Sequence, residues 1–186
     1  MISLIDLWVP ILVSAVAVFV LSSLVHMVLK WHNSDYRPLA NEDDVRAAIQ
    51  KTNPAPGMYV VPYCLDMKTI RTPEFQKKFA DGPVGFVFLR PRGAPGMGPQ
   101  LAMWFAYSVG IGIFVAYLAS RLLPNGAAFP AVLRLTATVA FLAYAGGSVQ
   151  NGIWMGKPWG SVAKDLLDGA IYAMATGAVF GYFWPH

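Results

Sequence analysis

Residues 150–186 read QNGIWMGKPWGSVAKDLLDGAIYAMATGAVFGYFWPH. Between Leu166 and Trp184 the only side chain charged at neutral pH is Asp168. A bilayer core of about 30 Å needs about 20 mostly apolar helical residues, so the stretch is just long enough to cross, and a membrane helix is predicted over about 162–184. Pro158 suits a first helical turn and Ser161 can cap its exposed N–H groups. Asp165 and Asp168 then fall in the first two turns, where the helix dipole favours anions. Pro185 ends the helix beside Tyr182 and Trp184, an interfacial anchor.

Gly169, Ala173, Gly177 and Gly181 recur every four residues and share one stripe. In lipid, close backbone packing along such stripes holds helices together. The favoured use is packing against this chain's own helices; the other is a docking face for a second subunit.

Moving toward the N-terminus, a third helix is expected over about 130–148, with Arg134 in its first turns. A second is expected over about 101–122, carrying a further small-residue run at Ser108, Gly112, Ala116 and Ser120. Pro124-Asn125-Gly126 joins them as a tight turn, and short connections make helices two to four antiparallel neighbours. The first helix is expected over Leu4–Leu29, within a segment 1–32. A cleaved signal peptide would need a basic start, and Asp6 stands there instead.

Residues 33–100 form the one sizeable polar segment. Asn41 followed by Glu42, Asp43 and Asp44 predicts a capped helix to about Gln50. Strands are predicted at 58–63 and 84–89 and a second short helix at 75–80. Arg90–Pro99 is a Gly/Pro-rich joint leading into the 101–186 helical region. The expected fold is therefore an all-α membrane protein, a four-transmembrane-helix bundle with a small α+β cytoplasmic insertion between helices one and two. In that insertion two strands pair in an αβαβ cap.

Composition agrees. The 186 residues are 56% hydrophobic and 13% charged, against about 25% charged in a soluble domain. The net charge of +4 is spread along the chain and gives no nucleic-acid footprint. A single cysteine, Cys64, excludes an intramolecular disulfide. Ten of the 14 Lys and Arg lie from Lys30 to Arg92, and Lys157 and Lys164 join them, leaving Arg121 and Arg134 opposite. The positive-inside rule then puts the insertion in the cytoplasm and both termini in the periplasm.

This topology gathers polar residues at the cytoplasmic helix ends: His26, His32, Asp35, Gln150, Asn151, Asp165 and Asp168. Ionisable groups at membrane depth usually face a protein interior or a water-filled cavity, and Asp168 and His26 are the deepest. They could form an ion or proton site. The plainer expectation is that Asp165 and Asp168 neutralise Lys30, Lys157 or Lys164. At the other end, Asp6 is the natural ion-pair partner of Arg134. Trp8, Trp31, Trp104, Trp154, Trp159 and Trp184 all fall near helix ends, as an aromatic belt does.

No metalloprotease, nucleophile-elbow, Walker, haem-attachment or prenyl-diphosphate motif occurs. His26 and His32, six apart, would fall on different faces of one helix, so a haem held by two histidines is not expected; no metal is assigned and the cofactor is left open. With Trp154, Gly156, Lys157, Pro158 and Trp159 followed by Asp165 and Asp168, the last third resembles uncharacterised small bacterial four-helix inner-membrane proteins. That resemblance implies a bacterial inner membrane and no particular activity.

Three functions fit these features. The first expected is an accessory or structural subunit, packing its small-residue faces against other membrane subunits or a copy of itself within membrane lipid. A small ion- or proton-coupled transporter or channel using Asp168 and His26 is the second. A membrane enzyme with a cytoplasmic-face polar site is the third.

Overall fold

A computed structural model describes residues 2–93 and 96–186. They form two compact units, one of residues 2–36 with 96–186 and one of residues 37–93. Within the joint at 90–99, Ala94 and Pro95 lie outside the described residues.

In the first unit, α1 (Trp8–Ser23) is led by a 3₁₀ turn, Ile5–Leu7, and closed by a π-helical turn, Leu24–Leu29. Lys30 follows in the left-handed region at φ 53°, and a 3₁₀ turn, Trp31–Asp35, doubles the chain back. In the second unit come α2 (Glu42–Lys51), β1 (Gly57–Val61), α3 (Met67–Ile70), α4 (Pro73–Asp81) and β2 (Gly85–Leu89). The strands pair antiparallel from Gly57 opposite Leu89 to Val61 opposite Gly85. Asp66 and Thr72 cap α3 and α4 by accepting from the Lys68 and Phe75 N–H groups. Phe75 is this unit's one buried hydrophobic residue among those described, so little holds it beyond caps and the strand pair.

The first unit resumes with α5 (Met97–Leu122), α6 (Phe129–Met155) and α7 (Trp159–Tyr182). Among the described residues three helical stretches are long and apolar enough to cross a membrane: Ile5–Leu29, Met97–Leu122 and Phe129–Met155. The side chains they present outward are large and apolar, as lipid requires, with Phe114 70% and Leu142 66% exposed. The predicted fourth span is a helix of sufficient length, 24 residues. It is less apolar than the other three because Asp165, Asp168 and its glycines dilute it.

The boundaries move in one informative way. The third helix, expected to end near 148, continues to Met155. α6 runs through Gly146, Gly147 and Gly152 to Met155, and Gly156 ends it with φ 69°. Pro158 stands just before α7, and the Ser161 side chain is buried instead of capping.

The small-residue stripes are internal seams. A Cβ on Gly169 would stand 2.7 Å from the Ala145 Cβ, and one on Gly177 2.8 Å from the Ala137 Cβ and 3.0 Å from the Leu133 carbonyl oxygen. One on Gly181 would meet the Phe129 ring at 2.7 Å. Ala173 is buried with them, so α7 lies on α6 nearly backbone to backbone. On α5, Ser108, Gly112, Ala116 and Ser120 are all buried, and Gly112 faces Ile11 of α1.

Two sequence expectations fail at the far end. Trp184 is 2% exposed and donates from Nε1 to the Pro124 carbonyl at 3.0 Å, so it plugs the bundle instead of joining an interfacial belt. Asp6 and Arg134 make no ion pair among the described residues. The Asp6 carboxylate accepts from the Ser3 N–H at 3.1 Å, closing the leading turn locally.

The seam predicts a contrast. Gly177→Leu should destabilise the protein by about 1–3 kcal/mol through overpacking. Gly147→Ala, with nothing near its Cβ position, should be neutral or stabilising by up to about 1 kcal/mol. Thermal melts in detergent micelles would read both, and equal effects would show that the seam is not a critical contact.

Candidate metal centre

The irregular end of α1 builds the site. In the π turn, His26 places Nδ1 2.9 Å from the Ser22 carbonyl oxygen. A carbonyl only accepts, so a neutral His26 carries its proton on Nδ1 and turns a lone pair outward at Nε2. The left-handed Lys30 and the 3₁₀ turn then bring His32 back over His26. Their rings stack at 4.9 Å and 7°. The expectation that six residues separate the two histidines onto different faces holds only for a continuous helix, and the helix stops between them.

His32 is held at both nitrogens. Nδ1 lies 2.7 Å from an Asp35 carboxylate oxygen and Nε2 2.9 Å from Asp168 Oδ2. Asp35 is fixed in turn by Lys164, whose ammonium donates to it at 2.7 Å, to Ser34 Oγ at 2.7 Å and to the Trp31 carbonyl at 2.8 Å. Lys164 thereby straps the 3₁₀ turn to α7.

Asp168 is 5% exposed. Its Oδ2 faces both imidazoles, with His26 Nε2 at 4.0 Å, while Oδ1 is buried with no hydrogen-bond partner among the described residues. The expected lysine partner goes elsewhere: Lys157 pairs with Asp165, and Lys164 with Asp35.

One ligand atom from each of His26, His32 and Asp168 lies within 4.8 Å of the others. Donors about 2.1 Å from one ion stand roughly 3 Å apart or slightly more, so the 2.9 Å pair already fits. The half-exposed His26 ring must turn out of its stack to complete the set. Each ring's second nitrogen meets an acceptor, the outer-shell arrangement that orients metal-bound imidazoles. Two imidazoles and a carboxylate suit a first-row divalent ion.

A cavity of about 520 Å³ opens beside Asp168 and His26. Trp104, Tyr144 and Tyr172 wall it, with ring centroids 5.7–6.1 Å apart. Trp104 is fixed by a bond from Nε1 to Ser22 Oγ at 2.9 Å.

Of the polar residues expected to gather, His26, His32, Asp35 and Asp168 do so, and Asp165 lies on the cavity wall. Gln150 and Asn151 are exposed on the last turns of α6 and belong to neither. Sequence reasoning missed the aromatic wall and the strap. Tyr172 lies one turn past Asp168, an available signal, whereas nothing in the pattern pointed to Trp104 as a partner of Ser22.

The charges set a pH window. Burial pulls the His32 pKa down, but the hydrogen bonds and charges of Asp35 and Asp168 outweigh it and raise the value. The Lys164 hydrogen bond, opposed by burial and helped by His32 and Ser161, lowers Asp35 to about 2.

No protein-family model, curated protein or solved structure matches this chain.

For metal-free protein the sign follows from linkage. Asp35, depressed, contributes stability above the ordinary carboxylate range near pH 4 and loses it as pH falls toward 2. His32, raised, contributes below about pH 6.5 and loses it as pH climbs through its elevated value. With chelator present, melts of wild type and His32→Gln should differ most between about pH 4 and 6.5, and the difference should shrink as pH climbs through the raised His32 value. A pH-independent difference would contradict the ion-paired network of His32 with Asp35, Asp168, Lys164 and His26.

Proposed function

We propose that this membrane protein is a metal-dependent enzyme whose His26, His32 and Asp168 hold one divalent first-row ion. One observation carries the reading. Both imidazoles have Nδ1 engaged by an acceptor, the Ser22 carbonyl and the Asp35 carboxylate, and turn Nε2 toward a buried carboxylate with an oxygen to spare. Three protein ligands are the count of catalytic centres, which keep a position open, and structural centres close with four. A bound ion would polarise a substrate oxygen or acidify a water. Asp35 would orient His32, with Lys164 holding Asp35.

The accessory-subunit reading rests on the small-residue stripes, and those of α5 and α7 meet the chain's own helices. The distribution of Lys and Arg supports setting the His–Asp end at the cytoplasmic face of the membrane.

The test is metal binding by protein purified from membranes and stripped with chelator. Cobalt(II) should bind at one ion per chain and develop visible absorption from mixed nitrogen and oxygen ligation. Asp168→Asn or His32→Ala should abolish the spectrum, and Asp35→Asn should weaken affinity roughly 10- to 100-fold as an outer-shell change. Binding that is substoichiometric, or indifferent to Asp168→Asn, would overturn the proposal.

A further inference from the structure

The cavity next to the centre has a composition that selects a ligand. Its walls are mostly apolar and aromatic, formed by Trp104, Tyr144 and Tyr172. Its rim carries Met27 from the end of α1 and Met97 and Leu101 from the start of α5, exposed by 60%, 66% and 40%. Met27 and Met97 stand at the ends of two membrane-spanning stretches, Ile5–Leu29 and Met97–Leu122, so the rim carries apolar side chains suited to an apolar chain.

Two residues of the lining, Asp168 and Tyr172, each hold a buried polar atom with no partner among the described residues: Asp168 Oδ1 and the Tyr172 hydroxyl. Leaving buried polar atoms unpaired is costly, and a ligand reaching both would offset that cost. Tyr172 can donate to a ligand oxygen, and Asp168 can accept from a ligand hydroxyl. Among the described residues no Lys or Arg lines the cavity, and two carboxylates, Asp165 and Asp168, do. In the metal-free protein the one nearby ammonium, that of Lys157, is taken by Asp165, so a phosphate or sulfate head group finds no free cation on the wall and is disfavoured there.

We propose that the cavity binds a neutral, oxygen-headed membrane amphiphile, a long-chain lipid alcohol. Its hydroxyl lies against Asp168 and Tyr172, and its chain leaves between Met27 and Met97. The proposal deepens the metal-centre reading by naming what the open positions of that centre face, and so rests on it for any reaction. Binding of the chain itself does not need the ion. The volume, about 520 Å³, falls in the ordinary range for small-molecule sites.

The test uses a long-chain alcohol carrying a diazirine in its chain, photolysed with the whole protein in micelles, with and without cobalt(II). Labelling should be saturable and map to the segments holding Met27, Met97, Leu101 and Trp104. Without cobalt it should be competed by unlabelled alcohol and not by the same chain with a phosphate head. Leu101→Trp, which fills the mouth, should abolish it. Tyr172→Phe should weaken half-saturation roughly three- to tenfold by removing one hydrogen bond. Non-saturable labelling spread over outward residues such as Phe114 and Leu142 would mean ordinary lipid contact and overturn the proposal, as would equal competition by the phosphate without cobalt. Confined labelling in a protein that binds no cobalt would leave the chamber standing and remove the metal reading. Cobalt binding without confined labelling would do the reverse.

Discussion

Burying the Asp168 carboxylate is the constraint around which this end of the bundle is arranged. An ionised carboxylate in a low-dielectric interior costs several kcal/mol unless it is paired and hydrogen-bonded. The partner cannot come from α6, whose contact face is made of small residues. It comes from the N-terminal segment, and a straight helix there would carry His32 onward, past the bundle. The π turn, the left-handed Lys30 and the 3₁₀ turn are the backbone cost of bringing that imidazole to Asp168.

The same need explains the seam. Gly169 directly follows Asp168 and touches Ala145. With α7 drawn onto α6 at that level, side chains on its neighbouring face project between α1 and α5. Asp168 and, one turn later, Tyr172 fall there, so one helix uses adjacent stripes for packing and for the site. A residue with a Cβ at 169 would push α7 away and open Asp168 to its surroundings. Trp184 performs the corresponding fixing at the other end, tying the chain terminus to the α5–α6 turn.

How much of this was legible follows from which forces are local. Hydropathy placed the three spanning helices within a few residues at most of their ends, and turn signals and β-forming residues placed α2, α4 and the strand pair, because those signals reside in neighbouring residues; α3 went unread, and Asn41 makes no side-chain cap on α2. The four-residue spacing of Gly169, Ala173, Gly177 and Gly181 found a packing face for the same reason. What stayed hidden depends on conformation that no residue type advertises. Lys30 takes a left-handed geometry usually left to glycine or asparagine, so the reversal that stacks His26 on His32 left no trace in the pattern. The run Gly146-Gly147 reads as a break, yet α6 continues through it, packing having overridden propensity. Trp184 reads as an interfacial anchor because burial inside a bundle and position at a membrane surface favour the same residue type.

The division of charges at this end explains why a His–Asp cluster arises there instead of a row of ion pairs. Three carboxylates, Asp35, Asp165 and Asp168, face two lysines on the same elements. Lys164 takes Asp35 and Lys157 takes Asp165, so Asp168 is left to the two imidazoles. Imidazole differs from ammonium in the one way that matters here. It can give up its proton and offer a lone pair, while lysine at its ordinary pKa offers only donors. A carboxylate paired with lysine is a finished interaction. One paired with two histidines, with an oxygen still unpartnered, can exchange protons for a cation without leaving a buried charge exposed. Asp35 makes that exchange directional, because it holds Nδ1 of His32 whichever occupant Nε2 meets.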